Sequence, residues 1–308
     1  MRTNPSGGGR DGAGLDLVAL GMGMAFALMW SSAFTSARII VADAPPLASL
    51  SLRFLLSGVI GIALALALGQ SWRLTRQQWI ATLVFGLCQN ALYLGLNFVA
   101  MQTVEASLAS IIASSLPLLV GLASWLILGE RLRPLGIAGL VAGFLGAALI
   151  MGTRVNAGVD LMGVGLCGAG VLALTFATLL LRGASSGGNV LMIVGLQMLV
   201  GSVILGVVSA LTETWQVTWS GRLVAAFLYT TFVPGLAATW IWFTLVNRIG
   251  AVRAATFHFL NPFFGVAIAA LVLGESLGPL DLLGVAIIGG GILAVQVARR
   301  PREVVDAD

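Results

Sequence analysis

Gln89, Tyr93 and Asn97 recur at four-residue spacing inside an otherwise apolar run, so on a helix they stack on one face, with Asn90 at its edge. Side-chain amides are costly in hydrocarbon, and such a face must look onto protein or water. One run later Ser107, Ser110 and Ser114 repeat the pattern, and His258 and Asn261 stand three apart just ahead of Pro262. Aromatic rings accompany these groups. Trp30 and Phe34 share a face of the first apolar run, and Tyr229, Trp240 and Trp242 fall in the eighth, where stacking and cation–π contacts could hold an apolar side chain or an ammonium group. Trp240 is expected to face inward and Trp242, on another face, to meet lipid. Pro117, Pro234 and Pro262 each withhold an amide hydrogen, which predicts free carbonyl acceptors at Ala113, Thr230 and His258. Packing is the competing reading for Trp30 and for the serines, because small residues let membrane helices approach closely. Candidate substrate-binding residues are therefore Trp30, Gln89, Tyr93, Asn97, Ser110, Ser114, Trp240, His258 and Asn261.

The missing groups narrow the chemistry. All twelve acidic residues fall in a tail, a loop or a span end, which leaves no buried carboxylate to exchange a cationic drug for a proton. A carrier of phosphorylated substrates would want clustered cations aimed at phosphate. Only Arg53 lies deep enough, and it could instead snorkel outward; its alternative use is to hold a carboxylate. With one histidine, two separated cysteines and no interior acid, hydrolysis within the membrane is reduced to a Ser–His dyad on His258. No cofactor, metal site or disulfide is expected.

The elements that position these residues are membrane spans. Of the 308 residues 58% are hydrophobic and 9% charged, with mean hydropathy +1.02, more apolar surface than a water-soluble core could bury. Ten runs are long enough for a hydrocarbon core of roughly 30 Å: 16–40, 47–68, 78–100, 104–128, 134–152, 159–182, 189–210, 221–245, 249–273 and 279–298. The fourth and fifth are echoed by the ninth and tenth without a gap. Pro117 falls on Pro262, Leu128-Gly129-Glu130 on Leu273-Gly274-Glu275, Pro134 on Pro279 and Gly139 on Gly284. Five is odd, so the second copy must cross in the opposite sense. The fold class is thus an all-α membrane protein, ten transmembrane helices as two five-helix inverted repeats around a central cavity. Its parts are a disordered tail (1–15), a first repeat (16–152), a second (153–298) and a closing tail (299–308). With both termini cytoplasmic, twelve arginines lie inside and three, Arg38, Arg154 and Arg222, outside. Glu130 and Glu275 are expected to cap or orient their turns. The glycines of the fifth and tenth spans should serve close packing, as a scaffold or a dimer contact.

Two five-helix halves, Leu52-Arg53-Phe54 early in the second span, central prolines in spans four and nine, and Gly-Glu-x-Leu-x-Pro after each resemble the EamA-type branch of the drug/metabolite transporter superfamily. The wider pattern is similar to the YddG-type exporters of aromatic and other neutral amino acids. That resemblance implies a multi-pass protein of the bacterial inner (plasma) membrane. Its partners would be a small-molecule substrate, an amino acid or similar metabolite, and membrane lipid, with no nucleic acid; the oligomeric state, a monomer or more, is left open. Export of a neutral or zwitterionic metabolite is the implied activity. The alternatives are a multidrug-type exporter and a membrane-embedded Ser–His enzyme.

Overall fold

The computed structural model of the protein describes residues 16–129, 133–180 and 187–298. Expectations for the two tails and for Glu130, Arg131 and Arg182 concern residues outside these. Ten helices long and apolar enough to span a membrane follow one another: α1 (Leu17–Asp43), α2 (Pro46–Ala67), α3 (Arg76–Ala100), α4 (Ala106–Ile127), α5 (Pro134–Asn156), α6 (Leu161–Leu180), α7 (Val190–Thr212), α8 (Gly221–Ile249), α9 (Arg253–Leu273) and α10 (Pro279–Ala298). Local chemistry sets their ends. The Asp16 carboxylate accepts the amide of Ala19 to start α1, and Thr75 with Gln78 forms a reciprocal capping box before α3. Prolines open α2 and α5, where a missing amide hydrogen costs nothing. The two glycines of the repeated motif behave alike: Gly129 ends α4 at φ +66° and Gly274 ends α9 at φ +70°, a left-handed turn natural to glycine.

Four helices are interrupted, and the interruptions recur in both halves. A π-helical stretch occupies Gly86–Leu94 in α3 and Val233–Ala237 in α8. In α4 the helix breaks at Ser115, two residues before Pro117; in α9 a 3-10 turn, Phe257–Leu260, precedes Pro262. This turn corrects one expectation. The amide of Asn261 reaches the His258 carbonyl, so proline does not leave that acceptor free.

The halves also cap each other. At one end of the bundle Glu213, after α7, accepts the amides of Leu47 (2.8 Å) and Ala48 (2.9 Å) at the start of α2. Gln70, after α2, accepts the amide of Met192 (3.0 Å) at the start of α7. Glu275, following α9, takes the amides of Ala106 (2.8 Å) and Ser107 (3.0 Å), where α4 begins. A carboxylate there answers both the unpaired amides and the positive end of the helix dipole. Such exchange of roles is consistent with an inverted repeat.

Two helix pairs carry the closest packing, α5 with α10 and α2 with α7. A Cβ at Gly139 would stand 2.7 Å from the Gly291 carbonyl oxygen, and one at Gly291 2.6 Å from that of Gly139; Gly146 and Gly284 meet the same way at 2.9 and 3.0 Å. Glycines of the fifth and tenth spans thus pack on one another within the chain. Replacing Gly139 by leucine should destabilise the protein by at least about 1–3 kcal/mol. Gly290→Ala, whose added Cβ meets nothing within 4 Å, should be neutral. Melting of the purified protein in detergent measures both, and equal melting temperatures would remove the interlock.

Candidate functional site

Three of the interrupted helices, α3, α4 and α9, enclose a cavity together with α1, α6 and α10. It measures about 240 Å³, with Trp30 and Phe34 of α1, Tyr93 of α3, Ser114 of α4, and His258 and Asn261 of α9 in its walls. It continues past Thr178, Ala255 and Gln296, towards the ends where α6 finishes, α9 begins and α10 finishes. A smaller recess of about 50 Å³ shares Trp30, Phe34 and Tyr93, and adds Arg53, Asn97 and Pro234. On that far side the helices are tied together. Arg38 donates to the carbonyl of Met101, itself 1% exposed, and Arg154 bridges Glu105 (2.6 Å) and Asp281 (3.1 Å), linking α4, α5 and α10.

The polar groups of the walls are held in specific ways. Asn261 places its amide nitrogen 2.9 Å from His258 Nδ1. The contact ties the amide to the imidazole, one ring nitrogen of which it occupies. Phe26 meets the ring edge-on at 5.3 Å, and Trp242 lies 5.2 Å away. Trp242 is therefore inside and Trp240, 64% exposed, outside, the reverse of the sequence expectation. The π-helical turn of α8 lies between Tyr229 and both tryptophans, and periodicity cannot count through it. In α3, Asn97 donates to the Tyr93 carbonyl (2.7 Å), leaving its own carbonyl oxygen buried without a partner.

Of the nine candidates, Trp30, Tyr93, Ser114, His258 and Asn261 border the larger space and Asn97 the smaller. Ser110 is 1% exposed and stands against Gly265, where a Cβ would be 1.8 Å from its hydroxyl oxygen. Gln89 is half-buried outside both linings; its neighbour Asn90 is tied to α7, donating to the Gln197 carbonyl at 2.8 Å. Sequence reasoning missed Gln296, Thr178 and Phe26. Gln296 had a signal, an amide near the end of the apolar tenth run.

Apolar and aromatic walls with a few amides suit binding, and no carboxylate borders either space among the described residues. The profile of the EamA-like transporter family matches residues 17–152 and again 161–296. The chain belongs to the EamA-like transporter family. Relatives within reach of this EamA chain are consistent with that. It is 28% identical to the uncharacterized transporter YvbV of Bacillus subtilis over 90% of each chain. It is 26% identical to the protein PecM of Dickeya dadantii over 85% of this chain and 86% of that one. The aromatic amino acid exporter YddG of Ancylobacter novellus is 32% identical over a shorter stretch, 43% of this chain and 46% of its own. A solved crystal structure, 22% identical, superposes with a TM-score of 0.65 over 91% of this chain and 98% of that one, and shows a common fold. This is a multi-pass membrane protein of a transporter family.

Cysteine scanning tests the cavity without a substrate. Ser114→Cys and Gln296→Cys should react with a small cationic thiosulfonate, Ser110→Cys at least about tenfold more slowly, because access governs thiol reactivity. Native Cys88 and Cys167 are buried and form the background. Equal rates at 110, 114 and 296 would contradict the assigned lining.

Proposed function

We propose that the protein exports small neutral or zwitterionic metabolites, aromatic and other neutral amino acids foremost, by alternating access across the bacterial inner membrane. The observation that carries this reading is the cavity between the interrupted helices, walled by Trp30, Phe34 and Tyr93 and by the amides of Asn261 and Gln296, with no carboxylate in its lining among the described residues. Rings accommodate apolar side chains, and amides pair with both ends of a zwitterion. The partial likeness to an aromatic amino acid exporter points the same way. A proton-coupled exporter of cationic drugs would want an interior acid, and that reading is weaker. His258 serves as a neutral hydrogen-bonding group rather than a catalytic base, its Nδ1 being engaged by Asn261. Trp30, Tyr93, Asn97, Ser114, His258 and Asn261 contact substrate in this reading. The two halves, 16–152 and 153–298, act as inverted repeats with both termini cytoplasmic, which puts the larger cavity on the cytoplasmic side.

Liposomes holding the purified protein and labelled amino acids provide the test. Counterflow of phenylalanine should require the protein, depend weakly on a proton gradient, and persist at half or more of the wild-type rate in His258→Gln. Uphill movement driven by protons and lost only in that variant would overturn the coupling. Failure to move any neutral amino acid would overturn the substrate class. Orientation is read separately. With Cys88 and Cys167 buried, a cysteine at position 275 should be labelled by an impermeant reagent from outside the cell and one at position 70 only after permeabilisation.

A further inference from the structure

Arg53 carries a fixed charge into the interior and has neither an anion nor a hydrogen-bond acceptor among the described residues to offset it. Its side chain is 6% exposed, its Nε is buried without a hydrogen-bond partner, and no ion pair or hydrogen bond joins it to any described residue. The sequence left it free either to snorkel outward or to hold a carboxylate; it does not snorkel, and the guanidinium lies 5.4 Å from the ring of Phe54 and against the π-helical turn of α8. At Gly235 a Cβ would stand 3.4 Å from Nη2 and 3.1 Å from the Thr230 carbonyl oxygen, so the missing side chain leaves the guanidinium its place. Burying an unpaired cation is among the costliest things a fold can do, and such a group normally marks the site of an anion that arrives later.

The second orphan in the same recess has the opposite polarity. Asn97 donates an amide hydrogen to the Tyr93 carbonyl, and its Oδ1 is buried with no donor to satisfy it. A cation without an anion and an acceptor without a donor thus border one space of about 50 Å³. That space opens on the same three rings, Trp30, Phe34 and Tyr93, that wall the larger cavity. We propose that this recess is the head-group subsite for an α-amino acid, Arg53 holding the carboxylate and Asn97 Oδ1 receiving the ammonium, while the side chain extends past the rings into the larger cavity. This deepens the proposed function and rests on it for the identity of the transported molecule. The ligand chemistry follows from the recess alone. A free amine satisfies only Asn97 and a simple carboxylate only Arg53; both orphans are answered together by a molecule that carries an anionic and a cationic group and fits a recess of about 50 Å³.

Purified protein in detergent, titrated with L-phenylalanine, phenethylamine and 3-phenylpropionate, separates the two contacts by ligand-induced shifts in melting temperature. Arg53→Gln should weaken phenylalanine and phenylpropionate by about ten- to a hundred-fold, the range of a charge-assisted hydrogen bond, and leave phenethylamine unchanged. Asn97→Leu should weaken phenylalanine and phenethylamine and spare phenylpropionate. Without ligand, Arg53→Gln should melt higher than wild type, because it removes an unpaired buried charge; Arg53→Lys should restore part of the carboxylate preference. A lower melting temperature in Arg53→Gln together with unchanged ligand preference makes Arg53 a packing residue and overturns the proposal. So does a wild type that phenylpropionate stabilises no more than the uncharged 3-phenylpropanol. Phenylpropionate binding that depends on Arg53, without amino acid counterflow, would sink the transport reading and leave the subsite standing. Counterflow indifferent to Arg53→Gln would do the reverse.

Discussion

In hydrocarbon every backbone amide and carbonyl must find its partner inside the protein, and this constraint decides where the chain can depart from the α-helix. Departures occur in α3, α4, α8 and α9, and all four helices border the cavities, through Tyr93 and Asn97, Ser114, Pro234, and His258 and Asn261. Irregular backbone is tolerable there because protein or water surrounds it, and a π-turn presents side chains at an angle that a straight helix cannot. The uninterrupted α5 and α10 meet backbone to backbone through Gly139, Gly146, Gly284 and Gly291. Every broken helix thus reaches a cavity, while unbroken α1, α2, α6 and α10 complete the walls through Trp30, Arg53, Thr178 and Gln296.

The repeat shapes the scaffold and not the chemistry. At the offset that lays Pro117 on Pro262, His258 corresponds to Ala113, Asn261 to Leu116 and Asn97 to Trp242. Each of these three polar wall groups has an apolar counterpart in the other half. The cavity therefore has an amide-and-imidazole side on α9 and an arginine-and-asparagine side on α2 and α3, a polarity that suits a ligand with two different ends. A site with the symmetry of its scaffold would favour a ligand with two equal ends.

The spans, the paired glycine turns and the close-packing role of the glycines in α5 and α10 were legible in the sequence, because each rests on a local rule: a length of apolar chain, a left-handed cap, a row of residues without side chains; that the two helices pack on each other was not. The site was legible only in part. Periodicity placed Trp240 and Trp242 on different faces of α8 but could not say which face the rest of the protein covers; Phe26 and His258, far away in sequence, decide it. The free carbonyl expected at His258 was lost to a 3-10 turn that draws in the Asn261 amide. For Arg53 the sequence left snorkelling and an interior role both open, because an isolated helix permits either; the turn at Gly235 and the Phe54 ring shut it in. In each case the missing information was non-local.

The tightest contacts also bear on motion. For alternating access one set of helices must move against another, and packed cores switch between discrete arrangements rather than deform smoothly. Where the Gly139 and Gly291 backbones meet, a sliding step would drive a carbonyl into the opposing helix, so α5 and α10 are poorly placed to shear. The same holds for α2 and α7, where a Cβ at Gly58 would stand 3.0 Å from the Gly195 carbonyl oxygen. The broken helices lack this constraint. In α4 and α9 the breaks at Ser115 and at Phe257–Leu260 lie at the level of the cavity, so the half-helices on either side can pivot there without parting the glycine seams. Beyond those breaks, the Glu275 clamp on the first amides of α4 and the bridge from Arg154 to Glu105 hold one end shut. Opening that end must trade these bonds for water, which can hydrate the freed carboxylates, amides and guanidinium in their place. Glycine packing, by contrast, has no substitute in water, and the fold is therefore arranged so that the exchangeable contacts lie where the helices must part.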